Sequence, residues 1–128
     1  MDAPYAVLRL HTWLEVPEGM LLGLGRAELL MRIEETGSLN KAAQVMGMSY
    51  RAAWGRLKAS EAIVGEPLVE KTPGNKGFVL TALGKRLTVD FKSWHDDVER
   101  YALARARETF PWPVESFQTK EKERNAQG

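Results

Sequence analysis

The side chains best suited to chemistry in this 128-residue sequence are basic and crowded into one stretch. Between residues 37 and 88, eight Lys or Arg (Lys41, Arg51, Arg56, Lys58, Lys71, Lys76, Lys85, Arg86) stand against three Glu (Glu61, Glu66, Glu70), a balance of +5 in a chain whose net charge is +1. Residues 1–36 carry −3 and residues 89–128 carry −1. A basic middle between mildly acidic ends orients a protein on a polyanion, and phosphate neutralisation dominates nonspecific affinity for nucleic acid. A plain solvated surface would give the same charges, so their placement has to decide. Arg51 is the first choice for a base edge, because its forked guanidinium can bond guanine O6 and N7 together; Arg56 and Lys58 suit phosphates. Catalysis has little to work with. There is no cysteine, His11 and His95 are isolated, and no nucleophile–base pair, phosphate loop or metal cluster stands at motif spacing, so neither an enzyme nor a cofactor or metal is expected.

Placement follows from the segment Gly37 to Leu57, which reads as a helix-turn-helix. Ser38 can cap a helix over Leu39 to Met46, Ala42-Ala43 allow a close crossing, Gly47 suits the left-handed residue that ends it, and Ser49 can cap a helix from Tyr50 to about Val64. Advancing 100° per residue puts Tyr50, Ala53, Leu57 and Val64 on the inward side of that helix. Arg51, Gly55, Lys58 and Ala59 then face outward, with Ala52 and Arg56 on one flank and Trp54 on the other. An outward strip that is short and basic suits a groove about 12 Å wide. Gly55 is either a close approach to DNA or a tolerated defect. Ser38 and Ser49 are caps that can also meet phosphate, and Lys41 can touch the backbone from the first helix of the motif. Trp54 reads as packing, since duplex DNA offers no free base face.

Around this motif, Tyr5 to Val16 alternates like a strand with Leu8, Leu10, Leu14 and Val16 on one face, and Pro17-Glu18-Gly19 turns the chain. A helix over Arg26 to Thr36 stops at Gly37. Pro67–Lys71 and Phe78–Leu80 read as strands joined by Thr72-Pro73-Gly74-Asn75-Lys76-Gly77, a wing with Lys71 and Lys76 at or near its tip. Thr81 can cap a helix from Ala82 to about Phe110, roughly 40 Å long, with Leu83, Leu87, Phe91, Trp94, Val98 and Tyr101 in one stripe. So long a stripe calls for a second copy of the chain, unless the helix breaks near Asp96-Asp97 and packs on itself. The expected fold is mainly α with a small β-wing: a winged helix-turn-helix domain over residues 1–81 including the N-terminal strand, a dimerisation helix over 82–110, and a disordered tail over 111–128. No apolar run approaches the roughly 20 residues of a membrane span and no secretion signal is evident, so a soluble, cytoplasmic protein is expected.

These residues resemble the N-terminal DNA-binding domain of ModE-type molybdenum-responsive regulators, a winged helix related to that of LysR-type regulators. The resemblance covers about Leu8 to Tyr101. It is carried by Glu35-Thr36-Gly37-Ser38-Leu39, Gly47-Met48-Ser49-Tyr50-Arg51-Ala52-Ala53-Trp54, Pro67-Leu68-Val69-Glu70-Lys71, Gly74-Asn75-Lys76-Gly77, and Leu80-Thr81 followed by Gly84. It implies a homodimer joined through the strand and long helices, with the third helix in the major groove and the wing beside it. Ser49, Tyr50, Arg51 and Trp54 match the family's recognition motif, and Lys76 its wing lysine. The wing holds less glycine than the family's, and the C-terminal oxyanion-binding domains of ModE proteins have no counterpart in these residues. The expectation is a dimeric regulator of double-stranded DNA that acts constitutively, by abundance, or with a separate oxyanion-binding protein as sensor. The alternative is a winged-helix adaptor whose basic middle meets an acidic protein.

Overall fold

A computed structural model describes residues 4–74 and 76–117 of the chain. Its elements run β1 (Ala6–Leu8), β2 (Trp13–Val16), β3 (Gly19–Gly23), α1 (Leu24–Thr36), α2 (Leu39–Val45), α3 (Tyr50–Val64), β4 (Val69–Lys71), β5 (Phe78–Leu80), α4 (Ala82–Thr109) and β6 (Val114–Ser116). They divide into two units, Thr12–Ser93 and the pairing of Met1–His11 with Trp94–Gly128. Helix α4 contributes its first part to one unit and its remainder to the other.

The core of the first unit is built by α1, α2 and α3 together with the wing strands. Leu29, Leu30, Ile33, Leu39, Leu57, Leu68 and Leu80 form one buried cluster, closed where Ala42, Ala43 and Ala53 let α2 and α3 come close. Burying each such leucine or isoleucine contributes about 1.5–3 kcal/mol. The caps lie where small residues and hydroxyls placed them. Ser38 accepts from the Lys41 amide and Ser49 from the Ala52 amide, both at 3.1 Å, while Gly37, Gly47 and Gly65 hold positive φ at the helix ends. Strands β4 and β5 pair antiparallel with Val69 opposite Leu80 and Lys71 opposite Phe78. The expected strand from Pro67 starts late, at Val69 opposite Leu80, and the amides of Leu68 and Val69 donate to the Glu61 carboxylate.

The wing is tied to the helices at several points. The Phe78 amide donates to the Gly37 carbonyl at 2.9 Å, and a Cβ added at the preceding Gly77 would overlap that same oxygen. Glu34 accepts from the Leu80 amide at 2.9 Å and pairs with Lys85 at 3.7 Å. Thr81 caps α4 through the Gly84 amide, donates to the Pro67 carbonyl, and bonds the Leu68 carbonyl through its own amide. Gly84 then passes so close to the Leu68 carbonyl that a Cβ there would overlap it.

Three expectations are corrected. Tyr5 to Val16 is not one strand. β1 pairs in parallel with β6, whereas β2 turns at Pro17-Glu18 and pairs antiparallel with β3, leaving Trp13 and Leu14 exposed. The tail is structured at its start, because Val114–Ser116 lies beside β1 with Val114 and Ser116 buried. The Arg107 guanidinium donates to the Val114 carbonyl at 2.8 Å, and the Ser116 hydroxyl to Glu99 at 3.0 Å. The disorder expected over residues 118–128 lies outside the described residues. Finally, half of the α4 stripe is consumed inside the chain. Leu83 and Leu87 pack on the main core, and Phe91, 3% exposed, is buried with Leu22 and Ala27. Of the rest, Val98 is half-buried while Trp94 and Tyr101 are exposed.

Candidate nucleic-acid interface

Helix α3 carries most of the candidate residues, and its facing follows its buried side. Ala53, Leu57 and Ser60 point inward; the Ser60 hydroxyl accepts from Arg26 at 2.6 Å, which satisfies a buried polar group. Opposite them, Arg51, Gly55, Lys58 and Ala59 form an exposed strip, as helical phase requires. Among the described residues Arg51 makes no ion pair, so its fork is available to a ligand. Nothing lies within 4 Å of a Cβ built at Gly55. Arg56 is exposed on one flank with a guanidinium nitrogen 3.9 Å from the Met48 sulfur, and Ala52 beside it is half-buried. Arg26 lies below its ordinary range, first because it is partly buried and then because the Arg56 charge is near.

The opposite flank holds what helical phase misplaced. Tyr50, assigned inward, is 48% exposed, and its ring stacks on that of Trp54, 37% exposed, with centroids 6.4 Å apart and planes within 10°. Lys58 covers the other end of this ridge, its ammonium 4.5 Å from the Trp54 ring centre. Tyr50 sits at the margin of the buried strip, and stacking on Trp54 decides its orientation.

Tyr50 also lines a cleft of about 220 Å³ between the helix-turn-helix and the wing. Ser38 and Asn40 come to it from the start of α2, Lys71 from β4 and Lys76 from the wing turn, along with Leu39, Gly77 and Phe78. Four residues singled out in the sequence thus meet at one place: Ser38, Tyr50, Lys71 and Lys76. The other seven, Lys41, Ser49, Arg51, Ala52, Gly55, Arg56 and Lys58, belong to the surfaces of α2 and α3 outside the cleft. The cleft is basic, open and rimmed by hydroxyl and amide groups, a chemistry that suits a phosphodiester. Sequence reasoning missed Asn40, whose only signal was its place one residue into a capped helix. It also missed Glu61, which stands three residues after Lys58 and binds it at 3.0 Å.

Burial pushes the Glu61 pKa up, but the Leu68 amide, the Lys58 ammonium and the Val69 amide outweigh it and hold the carboxyl below its ordinary range. Elsewhere, His95 is buried with its ring 3.5 Å from the Leu10 carbonyl oxygen. Among the described residues no group of three His, Asp or Glu is arranged to hold a metal ion, and no helix is long and apolar enough to cross a membrane.

Two capped helices at a short turn, followed by a hairpin that closes back on them, define a winged helix-turn-helix domain. Residues 24–85 match the family model described as bacterial regulatory helix-turn-helix protein, lysR family. The chain is similar to the molybdenum-pterin-binding protein MopB of Rhodobacter capsulatus, at 40% identity over 72 residues that cover 54% of this chain and 27% of that protein. It is likewise similar to the molybdenum transport protein ModE of Azotobacter vinelandii, at 35% identity over 83 residues covering 62% of this chain and 31% of the relative. The chain therefore spans about a third or less of these curated relatives. Among solved structures, the CbnR_DBD–DNA complex matches with a TM-score of 0.54 at 24% identity over 66% of this chain and 93% of that one. Vibrio fischeri DarR in complex with DNA matches with a TM-score of 0.55 at 18% identity over 75% of this chain and 30% of that one. Both establish the same fold.

Proposed function

We propose that this chain is a sequence-specific DNA-binding transcriptional regulator that works as a homodimer, with α3 in the major groove and the wing on the adjoining backbone. The observation that carries this reading is the division of labour around α3. Its outward strip presents Arg51 beside the unfilled space at Gly55, while its wing-side flank opens into a basic cleft lined by Tyr50, Lys71 and Lys76. Base-reading and phosphate-holding groups thus lie side by side, as a helix in a groove beside its own sugar-phosphate wall requires. Lys41 and Arg56 add phosphate contacts from α2 and from the far flank.

Dimerisation is supported by large apolar groups on the unit that holds the end of α4. Trp94 and Tyr101 are exposed, and so are Phe110 and Trp112, whose rings stack at 6.2 Å. Exposed aromatic surface of this kind marks a protein contact. Relatives named ModE and CbnR_DBD–DNA as a structural neighbour favour DNA over an acidic protein as the partner of the basic face. A signal from a separate oxyanion-binding protein remains part of the proposal, drawn from the molybdenum in the relatives' names.

Titration of a random duplex with salt tests the reading. Affinity should fall steeply as salt rises, whereas an adaptor would show little duplex binding even at low salt. Selection from a random pool should return paired half-sites about one helical turn apart. Arg51→Ala should then cost about 1–3 kcal/mol on the selected site and relax one base preference. Wild-type binding by that variant would remove Arg51 from the reading role.

A further inference from the structure

Glu61 is not among the residues assigned above to DNA, yet its carboxylate touches both arms of the interface. One oxygen accepts from the Lys58 ammonium at 3.0 Å. The other accepts from the Leu68 amide at 2.7 Å and, more weakly, from the Val69 amide at 3.4 Å. Lys58 in turn covers Trp54, which stacks on Tyr50 at the cleft. A continuous series of contacts therefore runs from the cleft, along the wing-side flank of α3, to the backbone where the first wing strand begins. Leu68 is 1% exposed, so an amide left there without its carboxylate would lose its partner in a place water does not reach.

We propose that Glu61 is a positioning residue: it fixes the wing, with Lys71 and Lys76, relative to α3, and it withholds Lys58 from phosphate by keeping it in a neutralising pair. The proposal rests on the DNA-binding reading. Its two parts separate chemically. Glutamine keeps an oxygen for the Leu68 amide but has no charge to hold Lys58, whereas alanine has neither. Both substitutions raise the net charge by one, so a purely electrostatic role would move them together.

The test measures duplex affinity against salt for the wild-type chain, Glu61→Gln, Glu61→Ala and the double variant Glu61→Gln with Lys58→Gln, alongside amide hydrogen exchange at Leu68 and Val69 without DNA. Glu61→Gln should steepen the slope of log affinity on log salt by about 1, one more phosphate neutralised, and adding Lys58→Gln should return it to the wild-type value. Glu61→Ala should be shallower than Glu61→Gln by about 1 or more, as the wing lysines lose their register. Its Leu68 amide should exchange at least about tenfold faster, with Glu61→Gln near wild type. A Glu61→Gln slope equal to wild type overturns the withheld lysine, and equal slopes for Gln and Ala overturn the positioning role. Equal Leu68 protection in all three chains overturns the anchor independently of DNA. Absence of salt-dependent duplex binding by the wild-type chain overturns the DNA-binding reading instead.

Discussion

A Cβ added at Gly77 or Gly84 would overlap a backbone carbonyl oxygen, of Gly37 in one case and Leu68 in the other, whereas a Cβ added at Gly55 on α3 would meet nothing within 4 Å. The same residue type thus serves two regions in opposite ways. At the wing base, glycine lets the chain pass where no side chain fits, and Glu34, Glu61 and Thr81 fasten the hairpin to α1, α3 and α4 with hydrogen bonds. On the outer face of α3 the space is left open, and the cost of about 1 kcal/mol for a mid-helix glycine goes unrepaid inside the chain. A fastened frame thus carries an outer face whose space is left open. The frame spends its polar groups on itself; the open face keeps Arg51 in reserve.

The widest separation between the two regions should appear on adding one methyl group to the frame. Gly84→Ala should destabilise the protein by about 3 kcal/mol, at the upper end of the range for overpacking, because the obstacle is backbone held by Thr81 and Glu61. Urea unfolding at neutral pH reads this directly. A midpoint equal to wild type would mean that the Leu68 carbonyl can yield, and the wing base would then be as permissive as the outer face of α3.

Acid should loosen one fastening of the frame while leaving the open face alone. Glu61 has a folded pKa below its unfolded value of about 4.3, so the charge-dependent part of its contribution is fully present above the ordinary carboxylate range and is lost as pH falls through the folded value. Replacing Glu61 by Ala should therefore cost about 1.5 kcal/mol near neutral pH, the scale of a charge-assisted hydrogen bond, and progressively less below about pH 4. Urea midpoints of the two proteins that stayed equally far apart at pH 7 and pH 3 would show that the charge on Glu61 adds nothing to stability beyond the oxygen that accepts from the Leu68 amide.

The open face was the more legible of the two regions in the sequence, and for a physical reason. Ser49 and Gly65 mark the ends of α3, and a helix between known ends has its facing set by period alone, so Arg51, Gly55 and Lys58 could be placed outward. Tyr50 escaped because it lies on the border of the buried strip, where a ring stacking on Trp54 decides its direction. The wing's existence was written in Pro73, Gly74 and Gly77, but its fastenings were not: Glu34 and Glu61 look like solvated helix charges until their distant amide partners are in place. β3 is a short apolar run and β6, Val114-Glu115-Ser116, carries a single apolar residue, and the local pattern names a partner for neither. The α4 stripe was visible as a stripe. Whether Leu83, Leu87 and Phe91 bury against the same chain or a second copy depends on where the main core and the pair Leu22 and Ala27 lie, and no period contains that.

The smallest effect expected is also the one that bears most directly on the open face. Gly55→Ala adds a methyl group into empty space on an exposed helix, so stability should rise, by up to about 1 kcal/mol from helix propensity and reduced unfolded-state entropy. If the backbone of α3 at this point approaches DNA, the same methyl group must weaken binding to the selected duplex while leaving Arg51 and both wing lysines in place. Stability up with affinity down would identify the glycine as a vacancy kept for the groove. Stability up with affinity unchanged would make it a tolerated defect, and would move the point of closest approach towards Arg51 at the start of the helix. Because the two quantities are measured separately, by urea unfolding and by duplex titration, a gain in one cannot conceal a loss in the other.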